Sequence, residues 1–153
     1  MRGGTHHSPI HRRLIDALYV EAMVLADDVR SYFDDGGRVE REALQPMARV
    51  TFSCESLKVT TRLMHVVAWL LTQRAVLAGE LRERDALDPS RRIGDAPISD
   101  ATGLADLPEQ ARILVAASVD LHRRVARLDS VQGVDLLEES PARQMYHRLA
   151  MTF

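Results

Sequence analysis

The chain has 153 residues, of which 46% are hydrophobic, 27% are charged and 5% are aromatic, and its formal net charge is −2. This length suits one domain with a hydrophobic core, and the scarcity of aromatic residues favours helix packing over a sheet sandwich. The slightly negative charge argues against nucleic acid as the main partner, because such proteins usually carry a strong basic excess. The single cysteine, Cys54, excludes an intrachain disulfide and a cysteine-based zinc site.

The compartment follows from what the sequence lacks. No hydrophobic run approaches the roughly 18 residues of a membrane-spanning helix, and no apolar signal region follows the N-terminus. We therefore predict a cytoplasmic protein without membrane insertion, formed by a single helical domain over residues 1–153.

The first helix is predicted over about residues 9–34. Ser8 can cap it, Pro9 suits its first turn, and the glycine pair 36–37 ends it. Apolar residues recur along it at steps of three and four, which indicates one buried stripe: Leu14, Leu18, Ala22, Leu25, Val29 and Tyr32.

The second helix, predicted over about residues 42–84, is unusually long and carries two apolar lines. Pro46 lies either in its first turn or at an early kink. The Cys54 line consists of Val50, Cys54, Leu57, Thr61, Met64, Ala68, Leu71, Ala75 and Ala78. The Leu63 line consists of Phe52, Ser56, Val59, Leu63, Val66, Leu70, Gln73 and Leu77. A displacement of two residues, or about 200°, makes the two lines face opposite directions.

Two opposed apolar faces predict a partner for this helix. One face can take the first and third helices, and the other must be covered by the C-terminal tail or by a second subunit. A homodimer is favoured because the strip is longer than the tail. The residues predicted for a dimer or partner interface are Phe52, Val59, Leu63, Val66, Leu70 and Leu77. Cys54 is predicted to be a buried thiol, because it also lies on an apolar face.

The rest of the chain contains a loop, a third helix and a tail. Proline and glycine residues mark a loop over about residues 85–106, and a capping box at Asp106 and Glu109 begins a helix over about 107–129. The tail covers 130–153, and its docking residues are predicted to be Pro141, Met145, Leu149 and Phe153. The pattern predicts an all-α, antiparallel three-helix bundle with a long central helix and a short amphipathic C-terminal helix.

The sequence contains no motif that indicates catalysis. It has no glycine-rich phosphate loop, nucleophile elbow, HExxH motif or zinc-ligand spacing. We therefore predict a protein that is not an enzyme, with no catalytic residue, no cofactor and no metal. The alternative is a ligand- or metal-binding helical bundle that acts as a sensor.

The central helix resembles a known bacterial family, the regulator-of-CtrA-degradation proteins. The likeness is carried by Glu55-Ser56-Leu57-Lys58-Val59-Thr60-Thr61-Arg62-Leu63-Met64, by Trp69-Leu70-Leu71 and by Gln73-Arg74-Ala75-Val76, and it continues more weakly over most of the chain. The residues that match the family signature are Glu55, Ser56, Thr60, Thr61, Arg62, Leu63, Met64, Trp69 and Arg74. Leu57 and Lys58 stand where the family has Met and Arg, so its partner surfaces can differ.

This resemblance implies a function. It implies a helical, homodimeric adaptor of regulated proteolysis that helps to deliver cell-cycle regulators to the ClpXP protease. The implied partners are ClpX, a response regulator and the protease substrates, and the implied location is the cytoplasm with concentration at a cell pole.

Overall fold

The structure, a computed structural model, describes residues 8–138 and 141–152, without the side chains of 135–138, 141–144 and 147. This part of the chain contains no strand, and the predicted all-α bundle with a long central helix is confirmed. Its α-helices are α1 Pro9–Ser31, α2 Arg38–Glu42, α3 Pro46–Leu77, α4 Glu83–Ala86, α5 Ala101–Leu104, α6 Glu109–Glu138 and α7 Pro141–Thr152.

Helix α1 begins as its sequence predicts. The hydroxyl of Ser8 accepts a hydrogen bond from the His11 N–H at 3.1 Å, and Pro9 is the first helical residue. The stripe that packs inward is Ile15, Leu18, Ala22 and Val29, whereas Leu14 is more exposed. A π-helical turn over Tyr32–Gly36 continues α1 and closes with a Gly37 N–H to Tyr32 carbonyl bond of 2.6 Å.

Helix α3 starts at Pro46, so this proline begins the helix and does not kink it. The helix stops at Leu77, several residues before the predicted end, because Gly79 takes a φ of +77°. The Glu80 N–H then bonds the Ala75 carbonyl at 2.9 Å, and the Gly79 N–H bonds the Val76 carbonyl at 3.0 Å. This pair of bonds is a Schellman termination, which satisfies carbonyls at the helix end.

Gly79→Ala is expected to destabilise the protein by about 1 kcal/mol, because a Cβ is disfavoured in the left-handed region. No heavy atom lies within 4 Å of the position of that Cβ, so the cost is conformational and not steric. Urea unfolding measures the change. Gly36→Ala is the control, since its φ is not positive and its nearest neighbour is 3.6 Å away. Equal losses in the two variants would contradict the prediction.

The three long helices do not all alternate in direction. Arg74 of α3 lies 4.0 Å from Asp16 of α1. At the other end of the pair, Phe33 and Phe52 make an edge-to-face contact with ring centroids 5.1 Å apart. The helices α1 and α3 are therefore antiparallel. Arg62 pairs with Ser118, and Gln73 pairs with Gln132. These pairs make α3 and α6 parallel, a correction to the antiparallel prediction for this pair of helices.

The parallel arrangement depends on the connection over residues 78–108. It returns along the seam between α3 and α6, and it includes α4, a 3₁₀ turn over Pro89–Arg91, and α5. A connection of this length is long enough to carry the chain back toward the starting end of the bundle. The segment predicted as a loop therefore packs against α3 and α6 as a fourth element of the bundle.

The Leu63 line forms the core. Phe52, Val59, Leu63, Val66 and Leu70 are buried, and Leu77 packs against the same cluster. The prediction of these six residues as a dimer or partner interface is therefore wrong, because α1 and α6 cover them within the chain. The core is completed mainly by Ile15, Leu18, Ala22, Leu107, Ala111, Leu114, Val115, Leu121 and Val125.

Helix α6 extends well beyond its predicted end and runs through Gly133. A Cβ at Gly133 would lie 2.9 Å from an Arg92 Nη atom, so this glycine permits a close approach of the connection. The helix begins at Glu109, two residues after the predicted start near residue 107, so Asp106 does not cap it. Helix α7 agrees with the predicted tail helix, although Ser140 and Phe153 lie outside the described residues.

Candidate protein-interaction surface

The Cys54 line is the exposed apolar face of α3. Leu57 and Met64 are 69% and 65% exposed, and Val50 and Leu71 are also exposed. Cys54 is exposed as well, so the prediction of a buried thiol is wrong. The reason is that α1, α6 and the connection all pack on the other sides of α3 and leave this line uncovered.

A groove between α1 and α3 adjoins this face. Its volume is about 550 Å³, and its polar lining is limited to Arg30, Asp34, Ser56 and Thr60. Apolar side chains form the rest of the wall: Met23, Ala26, Val29, Phe33, Leu63, Met64, Val67, Ala68 and Leu71. Exposed Val20 and Val24 extend the apolar surface along α1. We call this surface the α1/α3 groove.

The chemistry of the α1/α3 groove suits a protein partner. Large apolar patches on a soluble protein usually mark an interaction site, and a groove between two helices accepts the apolar face of an amphipathic helix. Met23 and Met64 add flexible side chains that can adapt to different partners.

On another side of α3, a buried polar cluster fastens the connection. Arg62, only 1% exposed, donates to the Pro97 carbonyl at 2.9 Å, to the Ser99 hydroxyl at 2.6 Å and to the Ser118 hydroxyl at 3.3 Å. The Ser99 hydroxyl donates in turn to Glu55 at 2.5 Å. Burial lowers the pKa of Arg62, an effect that the negative charge of Glu55 opposes.

Lys58 completes this cluster at its solvent side. Its ammonium donates to Glu55 at 3.1 Å and to the Ile98 carbonyl at 2.8 Å. Glu55 and Arg62 therefore have no direct ion pair and are joined through Ser99. Together the three charged residues bind three consecutive residues of the connection, Pro97, Ile98 and Ser99.

A second set of contacts fastens the connection closer to the C-terminal end of α3. The Trp69 indole donates to Asp129 at 2.9 Å, and Arg92 donates to the same carboxylate oxygen at 2.8 Å. His122 Nε2 lies 2.8 Å from the Gly94 carbonyl and must act as the donor. Trp69 is 2% exposed and belongs to the core.

The remaining signature residues divide between the core, the groove and helix-internal bonds. Leu63 belongs to the core and also contributes to the floor of the α1/α3 groove, which Ser56, Thr60 and Met64 line as well. The Thr60 and Thr61 hydroxyls donate to carbonyls one turn back, each at 3.0 Å. The Arg74 guanidinium lies 4.4 Å above the Tyr19 ring, which ties α3 to α1.

The predicted docking tail is helical but does not bury its described apolar side chains. Met145 and Leu149 are exposed, and so are Tyr146 and Met151. The side chain of Pro141 and all of Phe153 lie outside the described residues. Docking of α7 on the bundle is thus not observed for Met145 and Leu149, and their binding to another molecule stays a prediction.

The described part of the chain contains neither a candidate metal site nor a candidate membrane-spanning helix. In this part no three His, Cys, Asp or Glu residues are grouped so that they could hold a metal ion. None of its helices combines the length and the apolar character needed to span a membrane.

The arrangement of the helices and the sequence both match a known family. The sequence matches the family described as "Protein of unknown function (DUF1465)" over residues 7–153. The fold is similar to the crystal structure of RcdA from Caulobacter crescentus CB15, with 31% sequence identity and a TM-score of 0.65 over 83% of this chain and 93% of that chain. The chain belongs to the RcdA family. None of the curated proteins matches it.

Membership of the RcdA family confirms the resemblance that the sequence showed. The structure adds which role each signature residue has. The signature of the central helix combines three different structural roles, which a linear motif does not separate. No local pattern in the sequence marks the residues of the connection that contact α3 and α6: Arg92, Gly94, Pro97, Ile98 and Ser99. The only available signal was the length of the predicted loop, because such a long loop in a small domain usually has a function.

Proposed function

We propose that this protein is a non-enzymatic adaptor of regulated proteolysis, which helps to deliver cell-cycle regulators to the ClpXP protease. The observation that carries the proposal is membership of the RcdA family together with an exposed apolar groove on the signature helix. An adaptor must hold another protein without changing it, and this needs a binding surface and no catalytic group. The proposed partners are ClpX, a response regulator and the substrates to be degraded.

The α1/α3 groove is the proposed partner surface. It replaces the Leu63 line, whose residues are occupied in the core. The part of the Cys54 line that lies outside the groove, Val50, Cys54 and Leu57, is proposed as the homodimer interface, because one apolar strip on each of two copies can meet across a two-fold axis. The proposed location is the cytoplasm, with concentration at a cell pole where the partners gather.

Met64→Asp tests this proposal. A carboxylate in the centre of the groove must lose water when an apolar partner docks, so we expect partner affinity to fall at least about tenfold. The measurement is ClpXP degradation of a cell-cycle substrate in the presence of the response regulator, with and without the adaptor. Light scattering on the same variant reports whether the dimer is lost.

Ile113→Asp is the matched control. Ile113 is an exposed apolar residue on α6 and does not line the groove. We expect this variant to stimulate degradation as well as the unmodified protein does. A failure of the unmodified protein to bind or stimulate the protease under any condition would refute the adaptor proposal, and equal loss in both variants would refute the groove.

A further inference from the structure

A second cleft lies on the opposite side of the bundle from the α1/α3 groove, between α6 and the connection. Its volume is about 730 Å³, and one wall is the connection from Ala96 to Ser99. The other wall is one face of α6, where Arg112, Ala116, Val119 and Arg123 follow one another at steps of four, three and four. We call this site the α6 cleft.

The α6 cleft is positively charged. Arg112 and Arg123 are both exposed at its wall, and within the described residues neither has a hydrogen-bond or ion-pair partner. The buried Arg62 also lines it. The acidic residue of the lining, Asp120, already accepts a hydrogen bond from Arg124 at 2.9 Å.

The acidic residues of the neighbouring connection do not cancel this charge. Asp100 caps α5 by accepting from the Thr102 N–H at 3.1 Å, and Asp95 is an exposed residue that does not line the cleft. The two arginines are therefore available to an acidic ligand.

The connection offers backbone groups along the same cleft. Residues 93–100 have no helical or strand assignment, and the flanking Arg92 and Asp100 have extended ψ angles of 155° and 125°. The carbonyls of Gly94, Pro97 and Ile98 accept bonds from His122, Arg62 and Lys58. Within the described residues, no backbone N–H of 93–100 donates a hydrogen bond. The segment is thus held by its carbonyls, while its backbone N–H groups, which every residue except Pro97 carries, are available to a ligand.

The spacing of the two arginines selects the kind of ligand. Arg112 and Arg123 are eleven positions apart on a helix, which is about 16 Å along its axis. One phosphate or carboxylate cannot contact both, whereas about five residues of extended peptide cover this distance. Apolar Ala116 and Val119 lie between the two charges and suit apolar side chains between two acidic ones.

We propose that the α6 cleft binds an extended peptide segment of a partner protein, with acidic side chains contacting Arg112 and Arg123 and with its carbonyls contacting the backbone N–H groups of Ala96, Ile98 and Ser99. Extended peptides bind in this way when a protein presents an unpaired backbone edge beside side-chain pockets. The inference rests on the proposed function, since it names the kind of segment that an adaptor would hold.

The test is a titration of the ¹⁵N-labelled full chain followed by amide chemical shifts. The probe is a capped peptide with two glutamates about four positions apart and Val-Ala-Val between them. The comparison probes are the same peptide with lysines and inorganic phosphate alone. We expect the acidic peptide to shift amides of residues 93–100 and 112–126, and the lysine peptide to leave them unchanged.

The double variant R112E/R123E makes the test specific. We expect it to lower the affinity for the acidic peptide at least about tenfold and to reverse the preference toward the lysine peptide. R12E/R13E is the control, since it makes the same change in net charge at exposed positions of α1. It is expected to keep the original preference.

Three outcomes would overturn the inference: equal binding of both peptides, shifts confined to other residues, or the same shifts with phosphate alone. Substrate delivery without peptide binding would overturn only this inference. Peptide binding with the expected charge preference but without delivery would support this inference and refute the proposed function.

Discussion

Leu63→Asp is expected to abolish cooperative folding. Leu63 is 5% exposed and belongs to the core formed by α1, α3 and α6. The substitution removes about 2 kcal/mol of apolar burial and places a carboxylate among apolar side chains at a cost of several kcal/mol more. This sum is comparable with the whole stability of a typical domain, about 5–15 kcal/mol. Circular dichroism during heating is the measurement.

The adjacent residue provides the control for this prediction. Met64 is 65% exposed on the Cys54 line, so Met64→Asp is expected to keep the melting transition within a few degrees of the original. The two variants carry the same new side chain at neighbouring positions of one helix. A folded Leu63→Asp protein that lost only its dimer would contradict the assignment of the Leu63 line to the core.

Arg62→Met is expected to lower the free energy of unfolding by about 3–5 kcal/mol, the usual cost of removing one partner from a buried charged network. The change removes three hydrogen bonds that join α3 to Pro97, Ser99 and Ser118. It also removes a positive charge that acts on the buried Glu55, whose direct ion pair is with Lys58. Urea unfolding measures the loss, and hydrogen exchange of amides 93–100 reports whether the connection loosens.

Two further variants test the cause of this loss. Lys58→Met is the milder change, at about 1 kcal/mol or less, because the Lys58 side chain is 32% exposed and solvent screens its pair. The double variant E55M/R62M is expected to lose less stability than the sum of the losses of the two single variants. Removing both side chains leaves neither charge buried without the other. Additive losses would show that Glu55 and Arg62 act independently.

The family signature shows which properties of a helix can be predicted from sequence periodicity and which cannot. Periodicity correctly separated the signature helix into two opposed apolar lines, but it assigned the partner surface to the wrong one. The two lines are similar in apolar content, and only the positions of α1 and α6 decide which is covered. The same limit applies to Glu55, Arg62 and Trp69, which lie on neither apolar line. They are buried because the connection covers them.

The sequence by itself determined the class of the fold, the start of the first long helix and the existence of α7, whereas the second long helix begins at Pro46 and not near residue 42. These features depend on local chemistry: caps, prolines and the spacing of apolar residues along one helix. It also determined the family, because the central motif is long and specific.

The tertiary structure decided the rest, for a different physical reason. The direction of α6, the burial of the Leu63 line, the exposure of Cys54 and the anchoring of residues 93–100 all depend on contacts between residues far apart in the chain. Such contacts leave no periodic pattern in either partner. An apolar stripe indicates that one face of a helix is buried against something. Only the packed bundle determines whether other helices of the same chain bury it or whether it stays exposed for another protein.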